Sequence, residues 1–185
     1  MSGKFLSTLK KAATVAGDVL TTKGDILSRT SSALARLAVG SDGQVLTCAS
    51  GESIGLEWAT PSAITQSFII ACSDETTALT TGTAKVSFRM PYAFTLTAGE
   101  GGVRASCNQA PTGAVLTMDI NEAGSTILST KLTIAIGSTT SVGGTAPVIS
   151  DVNLADNALM TIDIDQIGSS NAGTGLKVTL IGVKA

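Results

Sequence analysis

Few residues in this chain could carry chemistry, and their spacing says which chemistry it would be. "STLK", Ser7 to Lys10, matches the S-x-x-K pattern in which a lysine serves a serine nucleophile. Neither an S-D-N nor a K-T-G segment follows it, so the match reads as coincidence. Asp163 and Asp165 in "TIDIDQI" could supply the two carboxylates of a glycoside hydrolase. That chemistry needs one of the pair in surroundings that raise its pKa, and the sequence marks none, so both read as surface acids. "DVNLAD", Asp151 to Asp156, opens like a calcium loop but has no glycine at its sixth position and no closing glutamate. Histidine is absent, which removes the usual general base, metal ligand and pH switch together. Cys48, Cys72 and Cys107 have no C-x-x-C spacing and cannot all pair, so they read as partly buried free thiols in a reducing cytoplasm. With no phosphate loop, nucleophile elbow or zinc pattern, the chain reads as a structural or binding protein rather than an enzyme, without cofactor or metal.

The elements around these residues are predominantly β. Hydrophobic residues make up 43% of the 185, aromatics only 3%, and small or β-branched residues carry the apolar load, which favours strands joined by tight turns. A formal net charge of -2 provides no basic field for phosphates, so no nucleic-acid partner is expected. The start is basic, but Lys10 and Lys11 interrupt its apolar run, and no stretch has the length of a membrane span; a soluble protein made in the cytoplasm is expected. Phe5, Leu9, Ala12, Ala13 and Ala16 recur at helical spacing, which predicts a helix over 4–16 that stops at Gly17. So short a helix needs something to dock on.

Residues 17–60 change character. "DILSRT", "ALARLAVG", "QVLTCAS" and "LEWAT" read as short strands separated by "SS", "GSDGQ" and "GESIG". Strands this narrow and only half apolar cannot close a core within one chain, so the segment reads as an oligomerising stem. Residues 61–66 serve as a linker. From 67 to 185 strand follows strand, as in "AVLTMDI", where Leu116, Met118 and Ile120 alternate with Val115, Thr117 and Asp119. Eight or nine such strands, joined by Gly-, Ser-, Thr- and Asn-rich turns, predict an antiparallel β-sandwich of jelly-roll type.

The stem also carries a resemblance. Gly24-Asp25, Arg36-Leu37, Gly40-x-Asp42-Gly43-Gln44-Val45-Leu46 and Trp58 resemble a segment found near the N-termini of many bacteriophage virion proteins, among them tail-fibre, head-fibre and capsid-decoration proteins. "SDETTALTTGTAKVSFRMPYAFTLT" and "ALMTIDIDQIGSSNAGTGLKVTLIG" are similar, more loosely, to C-terminal β-domains of phage structural proteins. The resemblance implies a non-enzymatic virion protein, a homotrimer, with an N-terminal anchoring part. The expected oligomer interface is Ile26, Leu37, Val39, Val45, Leu46 and Trp58. The expected docking residues for a major capsid protein are Lys4, Phe5, Leu9 and Lys11. Because no shaft of repeats is present, a capsid cement or head-decoration role on the virion surface is expected first. A short tail fibre, partnered by a tail or baseplate protein and binding a host glycan, is the alternative. Glycan sites present aromatic platforms, and Tyr92 and Trp58 are the only Tyr and Trp.

Overall fold

The computed structural model describes residues 19–185, so the helix expected over 4–16, with Lys4, Phe5, Leu9 and Lys11, lies outside the described residues. The chain is mainly β and divides into two compact units, Met1–Ser62 and Ala63–Ala185.

In the first unit β1 (Ile26–Arg29) and β2 (Leu34–Leu37) form an antiparallel hairpin. Its turn is closed by Thr30, whose hydroxyl accepts the Ala33 N–H at 3.0 Å. A second hairpin joins β3 (Val45–Cys48) to β4 (Leu56–Ala59), with Leu46 opposite Trp58. Between them the chain turns at Ser41–Gln44, where Gly43 has φ +83, a left-handed conformation that glycine adopts without strain. Among the described residues of this unit none is buried.

The second unit begins inside the expected linker. Its first strand, β5 (Thr65–Ala71), starts two residues before the expected Ser67, because Gln66 can face inward once its side-chain oxygen accepts the Tyr92 hydroxyl. There follow β6 (Gly82–Arg89), β7 (Phe94–Leu96), β8 (Val103–Ser106), β9 (Leu116–Glu122), β10 (Ser125–Thr126), β11 (Leu128–Thr130) and β12 (Leu132–Ile134). The chain closes with β13 (Val148–Ile149), β14 (Asn153–Leu154), β15 (Leu159–Gln166) and β16 (Lys177–Lys184). Every pairing is antiparallel. One sheet runs β10-β9-β15-β6, with β12 also on β9; the other runs β14-β7-β16-β5, with β8 also on β16. β11 and β13 pair separately.

Inward residues of both sheets meet in one hydrophobic cluster, Leu116, Met118, Ile120, Met160, Ile162 and Ile164 from the first and Phe94, Leu96, Val103, Val178 and Leu180 from the second. Each large side chain so buried contributes about 1.5–3 kcal/mol. Phe68 meets Phe94 edge-on, ring centres 5.0 Å apart. Gly182 lets β7 approach the middle of β16, since a Cβ there would stand 2.1 Å from the Thr95 carbonyl oxygen. "STILST", expected as one strand, is split at Ile127, which is buried in the core and donates its N–H to the Ile120 carbonyl. β13 and β14 are strands of two residues each, joined by residues 150–152.

Candidate functional site

The residues that carry the resemblance hold one another in place. Asp25 lies just before β1, and its carboxylate accepts the N–H groups of Thr21 at 2.9 Å, Thr22 at 2.7 Å and Val39 at 3.2 Å. Arg36 of β2 reaches the same carboxylate at 3.4 Å and also donates to the Thr21 hydroxyl. Burial pushes the Asp25 pKa up, but the three backbone N–H groups and Arg36 outweigh it and hold the carboxyl below its ordinary value. Gly24, at φ +92, keeps a close approach to Val39 open. Gln44 accepts the Ser41 N–H at 2.7 Å and leans towards the Trp58 carbonyl. Trp58 donates its indole N–H to the Ala38 carbonyl at 2.7 Å, and its ring lies where a Cβ on Gly40 would be, 2.7 Å away.

This arrangement divides the six expected interface residues. Val39, Val45 and Leu46 are exposed, between 41% and 49%, as an interchain surface requires. Trp58 is half-buried, and its indole binds the Ala38 carbonyl while its ring lies against Gly40. Ile26 and Leu37 are cross-strand partners on the half-buried face of the first hairpin. The opposite face exposes Leu27 and Leu34, which sequence reading missed. Their signal was present, since each is register-paired with an arginine, Arg36 and Arg29, and so lies on the wet face.

Of the two acids read as surface residues, Asp165 is exposed, whereas Asp163 is half-buried and structural. Asp163 accepts the Ala84 N–H at 2.7 Å and the Asn121 side chain at 3.1 Å. Ala84, at φ +47, sits where the register of β6 against β15 slips, so Asp163 holds a β-bulge. Asp165 pairs with Lys131 at 2.7 Å, and Lys131 reaches the buried Asp119 at 3.1 Å. These hydrogen bonds to Asp165 and Asp119 raise the Lys131 pKa. In "DVNLAD" the Asp151 carboxylate accepts the Asn153 N–H, closing a local turn. Among the described residues no three His, Cys, Asp or Glu side chains gather to hold a metal.

Cys48 is exposed, which corrects its expected partial burial, whereas Cys72 and Cys107 are buried and unpaired. Burial pushes the Cys72 thiol up to about 11, against one backbone hydrogen bond at Val178, and raises Cys107 as well. Cys72 borders an open cleft of about 190 Å³ lined also by Asp74, Thr77, Leu79, Lys85 and Ile164. Its one carboxylate is occupied: Asp74 accepts the N–H groups of Thr77 at 2.6 Å and Thr76 at 2.8 Å, which lower its pKa to about 2. Lys85 donates to Thr80. Tyr92 has its hydroxyl on Gln66, packs beside Phe68 and Phe94, and carries the Lys184 ammonium 5.2 Å above its ring.

The chain matches no protein-family model, no curated protein and no solved structure.

Proposed function

We propose that this chain is a non-enzymatic structural protein of a bacteriophage particle, a homotrimeric cement on the capsid surface, made in the host cytoplasm and bound to the major capsid protein. The observation that carries this reading is the first unit. Its phage-like residues Gly24, Asp25, Arg36, Gly40, Gln44 and Trp58 form one interlocked set. The two hairpins they support have no buried apolar residue among the described residues, yet leave Leu27, Leu34, Val39, Val45 and Leu46 exposed. Such a unit gains its apolar burial from other copies of itself.

A jelly-roll reading of the second unit rests on strand order. Take β7 with β8, and β10 with β12, as two broken strands, and leave the small β11–β13 pair aside. The strands then run first, eighth, third, sixth in one sheet and second, seventh, fourth, fifth in the other, the order of a jelly roll. Jelly rolls serve in capsids and in lectins, so the fold alone does not choose between cement and glycan binder. The aromatics favour cement, because Tyr92 carries the Lys184 ammonium over its ring and Trp58 lays its ring against Gly40 of its own unit.

Copy number in purified particles tests the proposal. A cement is present in proportion to capsomers and rebinds undecorated heads. A stoichiometry matching the tail symmetry, with no binding to heads, would replace it by the tail-fibre reading.

A further inference from the structure

The two sheets of the second unit finish their outward sides differently. On the sheet containing β6, β15 and β9, the outward side carries Lys85 and Arg89, and Asp119, Asp163 and Asp165 are tied into hydrogen bonds and ion pairs. Its edge strand β6 is interrupted by the bulge at Ala84. Charges and bulges of this sort keep a strand edge from pairing with another chain. The edge strand β5 of the other sheet has none of them, and its partner β16 carries no charge from Val178 to Val183. β5 stays in unbroken register with β16, from Thr65 opposite Val183 to Ala71 opposite Lys177. "TQSFIIA" contains no charge and no proline. Its outward residues Thr65, Ser67 and Ile69 lie opposite Val183, Ile181 and Thr179, and Ile69 is 70% exposed. The charges on this side are Lys177, which pairs with Glu75, and Arg104 of β8, which lies across Thr179 from Ile69 and donates to the Glu100 carbonyl.

We propose that this face, centred on Ile69, Ile181 and Val183, is a contact between copies of this chain. Two observations choose a second copy as its occupant. The outward strip of β5 with its β16 neighbours Thr179, Ile181 and Val183 carries no charge and meets its own copy without like-charge repulsion, which the edge strand β6, with Lys85 and Arg89, does not. Covalent connection is the other. Only residues 60–64 separate the end of β4 from the start of β5, a span of at most about 20 Å. Resting on the proposed oligomer of the first unit, this tether holds the β5 strands of neighbouring copies at high effective concentration. A weak contact between β5–β16 faces then forms as an intramolecular step.

The test uses the full chain with Cys48→Ser and Ile69→Cys, which leaves one surface thiol because Cys72 and Cys107 are buried. Alkylation by a maleimide is timed while light scattering reports the mass. The expected result is an oligomer whose introduced thiol reacts at least about tenfold more slowly than in the same protein unfolded in urea, and faster on dilution into monomers. An oligomer whose thiol reacts freely overturns the contact and leaves the stem oligomer standing. A monomer overturns both, whether its thiol reacts quickly or slowly. Ser67→Cys, on the same outward side and opposite Ile181, repeats the measurement if the Ile69 variant does not fold.

Discussion

Asp25 shows what one carboxylate can hold. It accepts hydrogen bonds from Thr21, Thr22 and Val39, so Asp25→Ala should release those amides to rapid hydrogen exchange while the second unit keeps its protection. A folded-state pKa below the ordinary one stabilises the unit fully above the ordinary carboxylate range, and that contribution disappears as pH falls through the lowered value. Asp74, lowered to about 2, should hold Thr76 and Thr77 until the solution approaches that pH. Amide exchange followed by NMR during acidification checks both, and protection of Val39 that stays unchanged after the carboxylates have been protonated would remove Asp25 from the role. The sequence made these residues visible as a motif but hid their work. A lone Trp58 does not reveal in sequence that its indole binds the Ala38 carbonyl and its ring lies against Gly40.

Strands with clean alternation were legible: β15 buries Met160, Ile162 and Ile164 and leaves Thr161 and Asp163 half-exposed between them, because a half-wet sheet imposes period two, whereas β9 also buries Asp119 and Asn121 beside Ile120. Two-residue pairings such as β13 and β14 leave no periodic trace, and polar Gly- and Thr-rich crossings conceal them. Asp163 and Asp165 looked equivalent for a related reason, since the bulge that separates their roles lies on the neighbouring strand β6. The distinction has a magnitude. Asp163→Ala strands a backbone N–H and the Asn121 amide and should cost about 1–3 kcal/mol, whereas Asp165→Ala breaks an exposed ion pair and should cost under about 1 kcal/mol. Equal costs in urea unfolding would contradict the bulge assignment. The two-residue turn between β9 and β10 places Ala123 at φ +48 before Gly124 at φ +86. Asn tolerates that conformation better, so Ala123→Asn should raise stability by up to about 1 kcal/mol, read from the thermal midpoint.

For the whole molecule, the division at Ser62 predicts that residues 63–185 expressed alone unfold cooperatively, since the cluster from Cys72 to Leu180 belongs entirely to that piece. Its thermal midpoint should be the same with and without reductant, because Cys72 and Cys107 are unpaired; a large drop on reduction would reveal a disulfide between them. Deleting 17–60 should leave that unfolding intact and abolish the oligomer at micromolar concentration, and an unchanged mass would place the assembly elsewhere. One pairing in this unit also sets a timetable. β16 stands between β5 on one side and β7 and β8 on the other, yet it is the last strand to be synthesised, on the order of a hundred residues after β5. Until Lys177–Lys184 has left the ribosome, the nascent chain holds three strands with no partner at the centre of their sheet. The unit closes only as translation of its last strand ends, so chaperones meet it open.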